Sequence, residues 1–157
     1  MAPSLLFDLE GMDLERVLLG PDQIRRYNPH RYEMEQLGGV LHLDRQKGRI
    51  VAFKDVRADE FWVRGHIPGR PLMPGVLMIE AAAQMCSLYY KVVTEDERFL
   101  GFGGVDEVKF RGQVVPGDRL ILLGVAEEIR NRRARFRTQG AVKGNVVFEG
   151  RITGMPL

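Results

Sequence analysis

The stretch from Val76 to about Val92 constrains the fold more than any other part of the sequence, because it is apolar nearly all the way round. Only Glu80, Gln84 and Ser87 interrupt its valine, leucine, isoleucine, methionine and alanine residues before two tyrosines. Pro74 suits the start of a helix, where the N–H that proline lacks would have no intrahelical partner. A helix without a polar face is a buried helix. The sequence therefore predicts one long helix inside the core.

The segment before this helix, residues 65–75, is rich in proline and glycine and carries His66. It holds three prolines and three glycines, so backbone dihedral preferences set its path in place of a ladder of hydrogen bonds. Imidazole is the usual base near neutral pH, although a single histidine in a loop most often has no special role. The three prolines favour a functional role here, because they leave the His66 side chain little freedom.

Alternating patterns on both sides of this region predict β-strands at 40–44, 49–56, 99–110, 119–130, 133–142 and 145–153. Lys143-Gly144-Asn145 is typical of a hairpin turn. One antiparallel sheet wrapped around one apolar helix buries the apolar surface of both elements. We therefore predict an α+β chain with the hot-dog fold, in which an antiparallel sheet of about six strands wraps around one long buried helix.

Residues 1–157 are expected to form a single hot-dog domain, because this length suits one domain. Within it we predict an N-terminal helical segment over residues 1–32 and the hot-dog core over residues 39–154. Asp13 can cap a short helix at 13–19, which Gly20-Pro21 would end. A further helical turn is expected from Asp22 to Tyr27.

Charge and composition argue against several classes of protein. The net charge of +2 is too weak to indicate nucleic-acid binding. The N-terminus lacks the basic and apolar regions of a secretory signal, and no stretch approaches the ~20 apolar residues of a membrane span. The single cysteine, Cys86, rules out an intrachain disulfide framework. We expect a cytoplasmic protein that binds neither membrane nor nucleic acid.

Glu80 lies inside the apolar helix, where an unpaired carboxylate is costly and its pKa tends to rise. A carboxylic acid held neutral near pH 7 can donate a proton. Gln84, four residues further on, shares its helix face and could hydrogen-bond and orient the carboxyl group. A structural glutamate satisfied by Gln84 or by a backbone group would show the same pattern, so the helix alone leaves both interpretations open.

Gly75 follows Pro74 at the predicted helix start and has no side chain to shield its N–H. Free N–H groups at the positive end of a helix dipole form a natural oxyanion site, although an ordinary Pro-Gly helix start has the same sequence. Elimination of water from a 3-hydroxyacyl thioester needs a base for the C2 proton, an acid for the C3 hydroxyl and donors for the thioester oxygen. His66, Glu80 and Gly75 supply one group of each type.

The run from Gly65 to Gln84 resembles the signature of the 3-hydroxyacyl-acyl-carrier-protein dehydratases, His-Phe-Pro-Gly-x-Pro-x-Met/Phe-Pro-Gly-Val-Leu-x-x-Glu-Ala-x-Ala-Gln, with Ile67 in place of phenylalanine. Asn28-Pro29-His30-Arg31-Tyr32 is similar to the family's Pro-His-Arg-Tyr-Pro, and the strand from Phe102 to Phe110 is similar to its Phe-Ala-Gly-Ile-Asp-x-x-x-Phe. The resemblance covers roughly residues 22–153.

The resemblance implies the dehydration of (3R)-3-hydroxyacyl thioesters, carried on acyl carrier protein, to trans-2-enoyl thioesters in fatty-acid or related synthesis. It implies that His66 is the catalytic histidine and Glu80 the catalytic acid. Gly75 then polarises the thioester carbonyl, and Gln84 lies beside the acid. It also implies a homodimer in which His66 and Glu80 meet across the interface from different subunits, and a trimer of such dimers is common in the family. No cofactor and no metal are implied.

One segment departs from the family pattern. The family continues after Arg-Tyr with Pro-Phe-Leu-Leu-Val-Asp-Arg, whereas this chain has Glu-Met-Glu-Gln-Leu-Gly-Gly over 33–39, in which three polar residues interrupt the apolar run. This departure keeps open a paralogue that serves a specialised pathway, or one that binds an acyl carrier without catalysis. A hot-dog acyl thioesterase is the alternative within enzymes, since a carboxylate could activate water against the same thioester.

Basic residues crowd the strand predicted at 133–142, and two more lie nearby in sequence. Since acyl carrier proteins are acidic, these side chains could dock one, although a solvated strand face would have the same composition. His30 and His42 lack metal-ligand spacing and are interpreted as non-catalytic. The candidate docking residues are Lys109, Arg111, Arg133, Arg135 and Arg137.

Overall fold

The computed structural model describes residues 2–157. It contains two α-helices, one short 3₁₀ turn at Tyr32–Met34 and six β-strands. The helices are α1 (Pro21–Tyr27) and α2 (Gly75–Thr94). The strands are β1 (Gly39–Asp44), β2 (Arg49–Asp55), β3 (Leu100–Phe110), β4 (Arg119–Arg130), β5 (Arg133–Val142) and β6 (Asn145–Pro156).

All six strands form one antiparallel sheet in the order β1-β2-β4-β5-β6-β3. Strands β4, β5 and β6 follow one another as hairpins. The two strands that flank α2 in sequence, β2 and β3, are joined to β4 and to β6. This leaves β3 as an edge strand whose far side pairs with nothing among residues 2–157.

Helix α2 packs across the inner face of this sheet and contacts β2 through β6. Met85, Leu88 and Tyr90 are almost fully buried between the helix and the strands. The helix is long and apolar enough to cross a membrane, but more than half of that stretch is buried inside the protein, so the core accounts for its hydrophobicity. The prediction of a hot-dog fold with one long buried helix is confirmed.

The loop between β2 and α2, residues 56–74, is anchored to the core at both ends. Trp62 and Met73 are each only 4% exposed, and the Met73 N–H donates to the Val114 carbonyl at 2.8 Å. Near its start, Lys54 Nζ and Glu60 Oε1 form an ion pair of 2.7 Å in which both side chains are 5% exposed. These anchors explain how a loop without regular structure can hold a definite path.

The helix expected at residues 13–19 is wrong, because the structure has turns there. Leu19 instead forms an isolated antiparallel bridge with Val40 on the free side of β1. A stretch this short is a marginal helix without tertiary support, and pairing with a strand edge gives its backbone groups partners. The helical segment predicted over 1–32 begins with Met1, which lies outside the described residues; within 2–32, only α1 and the start of the 3₁₀ turn are helical.

The first residues of the chain cover the outer face of the sheet. Phe7 is 6% exposed and forms a second hydrophobic cluster with Leu41, Val51 and other residues of β1, β2 and β4. The buried Gln139 of β5 fastens this segment, because it accepts a hydrogen bond from the Leu6 N–H at 2.8 Å and donates one to the Ser4 carbonyl at 3.0 Å. We call residues 4–14 the N-terminal strap.

Candidate active site

Glu80 lies in the second turn of α2, with its side chain 20% exposed. Its Oε1 accepts a hydrogen bond from Gln84 Nε2 at 3.0 Å, which confirms the contact expected from their spacing. The Nε2 atom of His30 lies 3.6 Å from the same oxygen. Within residues 2–157, no hydrogen bond reaches Oε2. The carboxyl group is therefore held through one oxygen, and the other is available to a substrate.

Gln84 is 3% exposed and uses all of its amide atoms. Besides Glu80, its Nε2 donates to the Met34 carbonyl at 2.7 Å, and its Oε1 accepts from the Gln36 N–H at 3.0 Å. The carbonyl of Gln84 in turn accepts from Asn28 Nδ2 at 3.0 Å. Gln84 thus ties the divergent 33–39 segment to the helix turn that carries Glu80.

His30 contributes to this site, although its sequence position gave no spacing argument for a role. Burial lowers the pKa of its imidazole below the ordinary value, against the opposing effect of the Glu80 carboxylate. The ring is therefore neutral at pH 7. Its Nδ1 is buried and has no hydrogen-bond partner among the described residues. The signal that could have identified His30 is its place in the Pro-His-Arg-Tyr motif.

A cavity of about 100 Å³ opens beside these polar groups, between α2 and the strands β3, β5 and β6. His30, Glu80 and Gln84 supply its polar wall, and the rest is largely apolar. Such a lining accommodates a hydrocarbon chain next to a carboxyl group. The other lining residues include Ala83, Cys86, Ser87, Phe99, Leu100, Phe102, Phe136 and Ile152.

His66 lies in the anchored loop with its side chain exposed. Its ring Nδ1 is 2.8 Å from the Leu72 carbonyl, and its N–H donates to the Trp62 carbonyl at 2.9 Å. Because a carbonyl only accepts, Nδ1 is the donor in this contact, and of the two neutral tautomers the one that fits it carries its lone pair on Nε2. Within one chain, as far as residues 2–157 show, His66 neither lines the cavity nor bonds to Glu80.

Gly75 is the first residue of α2, preceded by Pro74 in extended conformation. Its N–H belongs to the group of first-turn donors that have no acceptor within a helix. A Cβ at this position would lie 2.8 Å from a carbon of the Phe110 ring. Glycine is therefore required here by close packing against β3, in addition to any role of its N–H.

The candidate docking residues do not form one free basic patch. Arg111 pairs with Glu149 at 3.0 Å, and Arg133 pairs with Glu128 at 3.0 Å. Lys109 and Arg137 share an outer groove with Arg151, Glu107 and Glu149. The alternation predicted for β5 is confirmed, since Arg133, Arg135 and Arg137 alternate with buried residues.

The remaining ionisable candidates give no further site. Cys86 is buried in α2, and burial raises the pKa of its thiol well above the ordinary value, which makes it unreactive. No cluster of three or more His, Cys, Asp or Glu side chains able to hold a metal ion exists among residues 2–157.

Solved structures confirm the fold. A chain of the dehydratase heterocomplex ApeI:P from Xenorhabdus doucetiae aligns with a TM-score of 0.74 at 18% identity, covering 90% of this chain and 93% of that one. The zebrafish thioesterase superfamily member 2 aligns with a TM-score of 0.65 at 12% identity, covering 85% and 93%. At these identities the likeness shows the architecture alone.

Sequence comparison is more specific. A protein-family model described as a FabA-like domain matches residues 28–153. The 3-hydroxyacyl-[acyl-carrier-protein] dehydratase FabZ of Ruminiclostridium cellulolyticum is 36% identical over 136 residues, covering 86% of this chain and 95% of the relative. The FabZ of Chlamydia trachomatis serovar L2 (strain ATCC VR-902B / DSM 19102 / 434/Bu) is 34% identical over 142 residues, covering 88% and 93%. The chain therefore belongs to the FabA-like family, among relatives of the FabZ type.

Proposed function

We propose that this protein is a hydro-lyase that dehydrates (3R)-3-hydroxyacyl thioesters on acyl carrier protein to trans-2-enoyl thioesters, in the cytoplasm. The observation that carries the proposal is Glu80, an acid fixed through one oxygen beside an apolar cavity. The identity of 34–36% to FabZ dehydratases over most of the chain supports the same reaction.

In the proposed reaction, His66 is the base and Glu80 the acid. Nε2 of His66 takes the C2 proton, and the electron pair of that bond forms the C2–C3 double bond. The C3–O bond breaks, and the hydroxyl leaves as water with the proton from Glu80. The Gly75 N–H stabilises the negative charge that develops on the thioester oxygen. Gln84 orients the acid.

This mechanism requires two copies of the chain, because within one copy His66 neither lines the cavity nor forms a hydrogen bond with Glu80. The unpaired edge of β3 offers a place for a second copy to extend the sheet. The surroundings of that edge are unusually apolar for a surface, which favours burial in a homodimer. A trimer of dimers is compatible with this pairing. The exposed apolar side chains are Val76, Phe102, Val105, Phe110 and Met155.

The test is dehydration of 3-hydroxyacyl carrier proteins of graded chain length, followed as loss of water by mass spectrometry. We expect turnover by the wild type, and a loss of about 10²-fold or more in His66→Ala and in Glu80→Gln. Gln46→Ala, an exposed change in the β1–β2 turn, serves as the control. Unchanged turnover in both site variants would refute the assignment.

A thioesterase activity is the second candidate, since the fold is shared with a thioesterase superfamily member. It predicts release of a free thiol from acyl thioesters, which a colorimetric thiol assay detects. The ordered His66 loop favours dehydration, because hydrolysis does not need a base on that loop. Tight carrier binding without turnover on any chain length would instead support a non-catalytic paralogue.

The acidic carrier would bind the basic residues of the outer sheet face. Lys109 and Arg137 are the best candidates, because they are exposed and neither forms an ion pair among residues 2–157. Arg135 is partly buried, and Arg111 and Arg133 are already paired. We expect the double variant Lys109→Glu/Arg137→Glu to raise the KM for carrier-bound substrate. The KM for a short coenzyme A thioester should stay unchanged, because that substrate has no carrier protein to dock. An equal rise in KM for both substrates would contradict this docking site.

A further inference from the structure

His30 occupies a fixed place beside Glu80. Its ring is only 18% exposed and shares the cavity wall with Glu80 and Gln84. The backbone around it is held by Arg31, whose Nη1 donates to the carbonyls of Asn28 at 2.8 Å and of His30 at 2.7 Å. The imidazole is therefore placed by the fold and not by chance contact of a loose loop.

The two oxygens of Glu80 are in different situations. Oε1 accepts from Gln84 Nε2 at 3.0 Å and lies 3.6 Å from His30 Nε2, whereas Oε2 has no hydrogen bond among residues 2–157. A carboxylic acid keeps its proton on the oxygen that is not already accepting N–H groups. A distance of 3.6 Å is long for a hydrogen bond, but such contacts often tighten once substrate is bound.

We propose that His30 is a positioning residue, a neutral N–H donor that holds Oε1 of Glu80 together with Gln84 and so presents Oε2 to the departing hydroxyl. This rests on the proposed function, in which Glu80 is the acid. The Nε2–H tautomer is the one assigned, because it turns the donor toward Glu80. It leaves the partnerless Nδ1 as a lone pair, so no buried N–H goes unsatisfied.

Neutrality of the ring is part of this role. The charged groups that face His30 are Glu80, Lys91, Arg31 and Glu35, two acids and two bases. Burial has the largest effect and, together with Lys91 and Arg31, lowers the pKa of the imidazole against the opposing effect of Glu80 and Glu35. A cation in this place would favour the ionised carboxylate, and an ionised Glu80 has no proton to give.

The first experiment compares kcat and KM of His30→Ala and His30→Gln on a 3-hydroxyacyl carrier protein. We expect alanine to lower kcat by about 10- to 100-fold, since the acid loses its alignment, with KM within about twofold. Glutamine, a neutral N–H donor, restores most of kcat. His42→Ala in β1 is the matched control and leaves both constants unchanged. Melting temperatures confirm that every variant is folded.

The second experiment uses His30→Lys and the pH profile of kcat. A fixed cation beside a carboxyl group favours its ionised form, so the alkaline limb of the kcat profile moves to lower pH than in the wild type. An uncharged side chain that only fills space at position 30 leaves the alkaline limb of the kcat profile unchanged. An unmoved limb in a folded lysine variant overturns the proposal.

The outcomes separate this inference from the proposed function. If Glu80→Gln is inactive while His30→Ala retains wild-type kcat, only the role of His30 is wrong. If alanine and glutamine are equally impaired, His30 acts through its shape, and the proposal is also wrong. If Glu80→Gln retains activity, the assignment of the acid itself fails.

Discussion

Removing Lys54 tests how the loop that carries His66 is held. Lys54 and Glu60 form an ion pair of 2.7 Å with both side chains 5% exposed. Glu60 also accepts the Arg57 N–H at 2.8 Å through its other oxygen. In Lys54→Met the carboxylate of Glu60 stays buried and keeps only that hydrogen bond. Breaking a buried pair from one side costs about 3–5 kcal/mol, and the remaining hydrogen bond favours the lower end.

The expected loss of stability is therefore about 3 kcal/mol, or about 6–12 °C in melting temperature for a chain of this length. The double variant Lys54→Met/Glu60→Met removes both charges, so it should lose only about 1 kcal/mol, chiefly the hydrogen bond to the Arg57 N–H. The double variant is thus expected to be more stable than the single one, which distinguishes a buried pair from two independent contacts.

The assay is urea unfolding followed by fluorescence, at a fixed protein concentration because the proposed assembly would contribute to stability. Trp62 is the single tryptophan and is buried in the same loop, so it serves as the fluorescence probe of unfolding. Asp59→Asn is the control: Asp59 pairs with Arg57 at 2.9 Å with both side chains largely exposed, and its loss costs below about 1 kcal/mol. If Lys54→Met is as stable as this control, the reasoning is refuted.

The other predictions concern the site itself. Gln84→Leu leaves the Gln36 N–H and the Met34 carbonyl without their partner and should lower the free energy of unfolding by about 2–4 kcal/mol, with faster amide exchange at Gln36. Gly75→Ala places a Cβ 2.8 Å from the Phe110 ring and should cost about 1–3 kcal/mol in urea unfolding. Because burial lowers the pKa of His30, the unfolded chain binds that proton more readily. Stability should therefore fall as pH drops from about 6.5 through the lowered pKa, and His30→Gln should flatten this dependence in a pH series of unfolding curves.

Local patterns predicted most of the fold. The long helix was predicted within two residues at its C-terminal end, and the strands alternate as expected, with Ala134 and Phe136 buried beside exposed Arg133 and Arg137. The contact of Glu80 with Gln84 also followed from spacing alone, because residues four apart share a helix face.

Contacts between distant segments could not be predicted in this way. His30 meets Glu80 only after the Asn28-Pro29 turn folds onto α2, and no local period records that meeting. The same holds for the expected helix at 13–19, where a strand edge offered by Val40 decided the conformation. The alternation of the β5 arginines with buried residues was predicted, but the acid that pairs with Arg133 is Glu128 of β4, a different strand.

The N-terminal strap changes what the sheet can do as a building block. Its leucines and Phe7 already cover the outer face of β1, β2 and β4, and Gln139 holds the strap in place by hydrogen bonds to the Leu6 N–H and the Ser4 carbonyl. A second sheet could pack on that face only if the strap were displaced. The open side of the sheet that remains is the unpaired edge of β3, which is the edge that the proposed pairing of two copies would use.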